Sequence, residues 1–201
     1  ARDGRARSYA GLANIRSALS DAQALAVQAP SHVGTWELLG EFQMFYRRYP
    51  EAAEAYRRAT RLDPTMLTAW DNLAICLLRQ DKDTEALPAC ITAAELAPSD
   101  ARILTNLAVC LQRLGKHEDA IRRVSVALLH DKPTAYRWQL RGECHAELKH
   151  FELAAADFAA SLSLDDEDVG VWDAYGEVLS KLNRYDRVLE VYEYLLLKLP
   201  E

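Results

Sequence analysis

The chain has 201 residues, of which 50% are apolar and 27% charged, so it carries enough apolar side chains for a buried core. Its formal net charge of -6 argues against nucleic-acid binding, because such surfaces neutralise phosphates with lysine and arginine. No apolar run approaches the roughly 18 residues of a membrane span, and residues 1–30 show no secretory signal. The scarcity of glycine and proline and the abundance of good helix formers predict an all-α protein.

Residues 1–32 are predicted to form an irregular helix pair that caps the rest of the chain. Gly4 and Gly11 interrupt a short first helix around residues 5–13. Ala18, Ala22 and Pro30 occupy the places that small residues and proline take in the second helices further along. We therefore expect a degenerate copy of the unit that follows.

A period of 34 residues organises residues 33–201. Trp36, Trp70, Trp138 and Trp172 share one phase, and Leu104 fills the missing place. Apolar spacing within each period is helical and is broken near the middle, which predicts two antiparallel helices. We expect small side chains on the second helix to let it approach the first, with a large aromatic side chain filling the gap. The predicted repeats are 33–66, 67–100, 101–134, 135–168 and 169–201.

The motif Trp36-x-x-Leu39-Gly40, followed by Ala52-x-x-x-Tyr56 and Pro64, resembles the tetratricopeptide repeat. The resemblance covers residues 33–201 and implies a right-handed α-solenoid of antiparallel helix pairs. It further implies one continuous domain, in which the first helices of the repeats line a concave groove.

The sequence contains no motif for catalysis, for a metal ion or for a cofactor, so we do not expect an enzyme. The four cysteines, Cys76, Cys90, Cys110 and Cys144, fall on core phases and are expected to be free thiols. Free buried thiols favour a reducing, cytoplasmic location.

Three further motifs have structural interpretations. His145 stands where other repeats carry leucine and is expected to be a satisfied interior imidazole. Ser125 follows Arg122 and Arg123 as in a kinase site, but it is predicted to lie in the middle of a surface helix. The acidic run at residues 165–168 lacks the ligand spacing of a calcium loop and is expected to cap the next helix.

The resemblance implies which side chains face the groove. The candidate peptide-binding residues are Glu37, Glu41, Asn72, Ile75, Arg79, Arg102, Asn106, Val109, Arg113, Tyr136, Gln139 and Glu143. Asn72 and Asn106 share a phase, and an amide both donates to and accepts from the main chain of a peptide. Residues 101–134 carry a net charge of +3 and residues 135–168 a net charge of -5. Glu37 and Glu41 stand where the family's clamp for the acidic tails of chaperones needs lysine and asparagine, so we do not expect those tails as ligands.

Two roles remain open for the arginines: they bind carboxylates of a ligand, or they pair with neighbouring aspartate and glutamate. Three functions also remain open. The first is a non-catalytic adaptor that binds an extended or helical segment of another protein. The second is the regulatory or substrate-recognition arm of a larger enzyme. The third is self-association through exposed end repeats.

Overall fold

The structure, a computed structural model, describes residues 15–198 and is helical throughout, with no strand in that range. Its helices are α1 (Ile15–Gln28), α2 (Val33–Phe45), α3 (Tyr49–Leu62), α4 (Leu67–Leu78), α5 (Asp83–Leu96), α6 (Ala101–Arg113), α7 (His117–His130), α8 (Ala135–Glu147), α9 (Phe151–Leu164), α10 (Val169–Lys181) and α11 (Tyr185–Lys198). The predicted all-α helical-repeat class is confirmed. The predicted short helix at residues 5–13 lies outside the described residues.

Each of the five predicted repeats contains one pair of helices, from α2 with α3 to α10 with α11. The chain divides into two compact units, residues 1–98 and 99–201. The first compact unit contains α1 to α5 and the second contains α6 to α11. The two helices of each repeat pack against each other, and within a compact unit each repeat packs on the next. The organisation of the repeats as one continuous domain stays a prediction.

The turn inside each repeat contains one residue in the left-handed region, always fifteenth in the repeat. The φ angles are 56° at Arg47, 57° at Asp81, 71° at Gly115, 60° at Lys149 and 57° at Asn183. The residue after it donates its backbone N–H to the carbonyl five positions earlier, at 2.8–3.0 Å, which closes the first helix. Only the third repeat has the glycine that this conformation favours.

In the first and fourth repeats, a glycine on the first helix packs directly against an aromatic ring on the second. A Cβ atom added to Gly40 would lie 2.6 Å from Cζ of Tyr56, and one added to Gly142 would lie 3.0 Å from Cε1 of Phe158. The small residues expected on the second helix are indeed buried, Ala52 and Ala59 completely, but the ring that fills the gap is also on the second helix and lies over a glycine of the first. The second and third repeats hold smaller buried pairs in the same places, Ala74 with Cys90 and Ala108 with Val124.

Three of the repeated tryptophans hold the loop that precedes their helix by a hydrogen bond. The indole N–H groups of Trp36, Trp70 and Trp172 each donate, at 2.8 Å, to the carbonyl six residues earlier, at Pro30, Pro64 and Asp166. In the fourth repeat the corresponding carbonyl, at Lys132, accepts from Arg137 instead. In these four repeats the loop carbonyl is therefore satisfied by a side chain of the helix that follows it.

The acidic run before α10 caps that helix, as predicted. The carboxylate of Asp168 accepts the N–H groups of Gly170 at 2.9 Å and Val171 at 3.3 Å. These are the unpaired donors of a helix start, which a negative charge stabilises.

Candidate functional site

In the first compact unit, a hydrogen bond joins the first helices of two repeats and includes one predicted site residue, Glu37. Thr68 Oγ1 of α4 donates to Glu37 Oε1 of α2 at 2.8 Å. Asn72 and Ile75 lie one and two turns beyond Thr68 and are half-buried, and Arg79 is exposed at the end of α4. We call Glu37, Glu41, Asn72, Ile75 and Arg79 the first-unit face.

The second compact unit contains a similar bridge between first helices. Glu143 of α8 accepts from Gln112 Nε2 of α6 at 2.7 Å and from Gln139 Nε2 of its own helix at 2.9 Å. The helix α8 packs between the first helices α6 and α10. We call Arg102, Asn106, Val109, Arg113, Tyr136, Gln139 and Glu143 the second-unit face.

The exposure of these side chains divides the predicted positions into two groups. Arg102, Arg113 and Tyr136 are exposed, Tyr136 by 53%, whereas Asn106, Val109, Gln139 and Glu143 are half-buried. Other side chains at the same inward phases are buried in the core: Leu38, Asp71, Leu78, Thr105 and Leu140. The repeat positions predicted to face the groove are therefore held by accessible side chains in some repeats and by core residues in others.

Sequence reasoning missed the polar contacts of Arg137, which is buried next to the second-unit face. Its guanidinium donates to Asp131 Oδ2, to the carbonyl of Lys132 and to Thr105 Oγ1, each at 3.1 Å. The hydrogen bond from the backbone N–H of Lys132 lowers the pKa of Asp131, and the hydrogen bond from Arg137 lowers it further. This network holds the loop that precedes α8, in which Pro133 stands one position later than the 34-residue spacing of Pro64 and Pro98 predicts.

A second buried network joins the helices behind this face. Arg141 donates to both carboxylate oxygens of Asp157 at 2.8 and 2.7 Å and to Ser125 Oγ at 3.2 Å. Ser125 lies within α7, as predicted. His145 Nε2 lies 4.0 Å from Asp157 Oδ2.

His145 is not the satisfied imidazole that the sequence suggested. Its Nδ1 atom is buried and has no hydrogen-bond partner among residues 15–198. Burial lowers the pKa of His145, with Arg141 and His150 acting in the same direction and Asp157 in the opposite one. The imidazole is therefore kept neutral at a position where other repeats carry leucine.

The described residues contain no group of three or more side chains suited to hold a metal ion and no helix long and apolar enough to cross a membrane. All four cysteines are buried and free, as predicted. Burial raises the pKa of Cys76 and of Cys144 to about 12, so neither thiol is activated as a nucleophile.

Family models identify the repeats. Models of the tetratricopeptide repeat match residues 4–65 and residues 65–128, which together span more than half of the chain. The chain belongs to the tetratricopeptide repeat family. Repeats of this family generally form non-catalytic scaffolds for protein–protein interaction.

Solved structures share the fold at low sequence identity. A tetratricopeptide repeat protein from Parabacteroides merdae is 14% identical with a TM-score of 0.80, and the match covers 100% of this chain and 79% of that one. MamA from Desulfovibrio magneticus is 18% identical, with a TM-score of 0.76 and coverage of 83% and 94%. YrrB, described as having an unusual peptide-binding site, is 15% identical, with a TM-score of 0.74 and coverage of 86% and 89%. No curated protein matches the chain.

Proposed function

We propose that this protein is an interaction adaptor whose first-unit face and second-unit face each bind an extended or helical segment of a partner protein. The observation that carries the proposal is the pair of bridges between first helices, Thr68 to Glu37 and Gln112 to Glu143. Each bridge holds polar side chains of neighbouring repeats in a fixed arrangement, and a fixed arrangement lowers the entropy lost on binding.

The second-unit face offers complementary chemistry along its length. Arg102 and Arg113 present exposed guanidinium groups on α6, with Val109 between them. On α8, Tyr136 supplies a rigid aromatic surface and Glu143 a carboxylate oriented by two amides. In the proposal, acidic side chains of the partner lie over α6 and its apolar side chains lie against Val109 and Tyr136. The Asn106 amide binds the main chain of the partner.

Affinity capture from a source lysate tests the proposal. The variant Asn72→Ala/Asn106→Ala/Arg102→Glu should lose a partner that the wild-type protein retains. A matched control is Arg123→Glu, which reverses the charge of an exposed arginine on the second helix α7 and should retain the partner. Circular dichroism checks that each variant is folded. Equal capture by the triple variant and the wild type would refute the binding faces.

The last helix favours self-association as a second function. Leu189 and Leu196 of α11 are exposed by 63% and 73% and offer apolar surface to a second copy of the chain. Light scattering over a range of concentrations tests this proposal, and a constant monomer mass would refute it.

We further propose a reducing, cytoplasmic location, which the four free buried thiols support.

A further inference from the structure

The Tyr56 side chain extends from the second helix α3 towards the first-unit face. Its ring passes directly over Gly40 of α2, where a Cβ atom would lie within 2.8 Å of three ring carbons. The side chain is completely buried, and the hydroxyl lies beyond the ring atoms that contact Gly40. The glycine therefore lets a residue of the second helix bring a polar atom close to the first helices.

The packing of the repeat does not need this hydroxyl. In the fourth repeat, Phe158 lies over Gly142 in the same way and is also buried. The Tyr56 hydroxyl is a buried polar group that no hydrogen bond of good geometry satisfies in the described part of the chain, although the Asn72 side chain lies near it. Burying such a group costs free energy, so the tyrosine is disfavoured here unless the oxygen has a further role.

Two carboxylates and one amide of the first-unit face lie together on the first helices beside the Tyr56 ring. Glu37 and Glu41 are one turn apart on α2, and Asn72 is one turn beyond Thr68 on α4. Glu37 accepts from Thr68, which fixes the position of that carboxylate next to α4. Burial raises the pKa of Tyr56 far above its usual value, the charges of Cys76, Glu41 and Glu37 raise it further, and the Asn72 side chain lowers it. Two carboxylates beside one amide attract a cation and repel an anion.

We propose that Glu37, Glu41, Asn72 and the Tyr56 hydroxyl form a subsite that binds a lysine or arginine residue of the partner segment. The inference rests on the proposed function and names the chemistry of the partner at this face. The carboxylates accept hydrogen bonds from the cationic side chain. Asn72 donates to the main-chain carbonyl of the same residue, and Tyr56 donates to Asn72 Oδ1 and so orients the amide. Tyr56 is a positioning residue because it acts through Asn72.

A random peptide library displayed on phage tests the subsite without a known partner. Selection on the wild-type protein should enrich peptides that contain lysine or arginine. The variant Glu37→Gln/Glu41→Gln should bind a selected synthetic peptide about tenfold more weakly, as expected for the loss of charge-assisted hydrogen bonds. The matched control Glu51→Gln/Glu95→Gln removes two exposed charges from the second helices of the same compact unit and should leave the affinity within about twofold.

The variant Tyr56→Phe tests the positioning role, since Phe158 shows that a phenyl ring fits over such a glycine. It should weaken peptide binding several-fold while the fold and the resistance to urea are retained. When the peptide is added, the NMR signal of the Asn72 side-chain amide should move to the chemical shift of one bound state in the wild type. It should not do so in Tyr56→Phe.

The outcomes separate the subsite from the proposed function. Enriched peptides without lysine or arginine, or an affinity unaffected by Glu37→Gln/Glu41→Gln, would overturn the subsite. Unchanged peptide affinity and Asn72 amide shifts in Tyr56→Phe would overturn its positioning role. A failure to enrich any peptide, or binding that survives Asn72→Ala/Asn106→Ala/Arg102→Glu, would overturn the binding faces themselves.

Discussion

Replacing Gly40 with alanine should destabilise the first compact unit, although alanine favours a helix more than glycine does. Gly40 lies inside α2, where the change from glycine to alanine alone stabilises a helix by about 1 kcal/mol. The new methyl group would lie 2.6 Å from Cζ of Tyr56 and 2.8 Å from Cε1 and Cε2. Carbon atoms pack at about 3.5–4.0 Å, so the ring must move by about 1 Å. Tyr56 is fully buried, so its ring can move only if the side chains packed around it move as well.

Overpacking of this kind costs about 1–3 kcal/mol, and the severe overlap places Gly40→Ala at the upper end. After the gain in helix propensity, we expect a net loss of about 1–2 kcal/mol. The other repeats provide a graded series. Gly142→Ala, with its nearest contact at 3.0 Å, should be close to neutral, and Gly176→Ala, at 3.3 Å from Val191, should stabilise by up to about 1 kcal/mol.

Urea unfolding followed by circular dichroism measures the series. The reasoning is refuted if Gly40→Ala is as stable as Gly176→Ala. A double-mutant cycle of Gly40→Ala and Tyr56→Val tests whether the ring causes the loss. The second and third repeats show that alanine is accommodated at the glycine position when the residue opposite is small, as Cys90 and Val124 are. The loss in Gly40→Ala/Tyr56→Val should be about 1–3 kcal/mol smaller than the sum of the two single losses. Additive losses would show that the ring is not the obstacle.

Three further predictions concern the second compact unit, each measured by urea unfolding. Lys149→Gly should stabilise by about 0.5–1 kcal/mol because Lys149 has a φ of 60°, whereas Gly115→Ala, at 71°, should destabilise by about 1 kcal/mol; the opposite signs would contradict the turn geometry. Arg141→Ala should lower the free energy of unfolding by about 3–5 kcal/mol because it leaves the buried carboxylate of Asp157 unpaired. The control Arg122→Ala removes an exposed ion pair and should lower it by less than about 1 kcal/mol. Similar losses in the two variants would argue against the buried pair. The pKa of His145 is lower in the folded state than in the unfolded chain, so the unfolded chain binds a proton more readily as the pH falls. The contribution of the neutral imidazole to the free energy of unfolding is full above the unfolded pKa of about 6.5 and decreases as the pH drops below it. His145→Leu should remove this pH dependence between about pH 7 and 5, and an unchanged dependence would assign it to other groups.

The sequence predicted the fold well because the fold depends on periodic features. The spacing of Trp36, Trp70, Trp138 and Trp172 fixed the repeat length, and the turn formers marked the helix boundaries. The capping role of Asp168 was also predictable, since an N-cap depends on residues two and three positions away. Local and periodic features of this kind need no three-dimensional information.

The contacts that define the two faces were much less predictable. The bond from Gln112 to Glu143 joins residues 31 positions apart, and no local pattern indicates that these two side chains meet. The buried contacts of Arg137 contradict the usual exposure of arginine, and only the structure shows the groups that satisfy it. Sequence phase likewise assigned Leu38 and Leu140 to the inward positions, although both are core residues. Position in a repeat gives the direction of a side chain, but exposure depends on the neighbouring helices.

Hydrogen exchange at the tryptophan indole groups can be used to follow partial unfolding of this protein. Trp36, Trp70 and Trp172 each donate their indole N–H to the loop in front of their own repeat, so opening of that junction frees the hydrogen to exchange with solvent. The three indole signals in a proton NMR spectrum therefore read three different junctions in one sample. Arrays of repeats can lose structure one repeat at a time. The order in which these signals exchange would show, without any added label, at which repeat the chain begins to open.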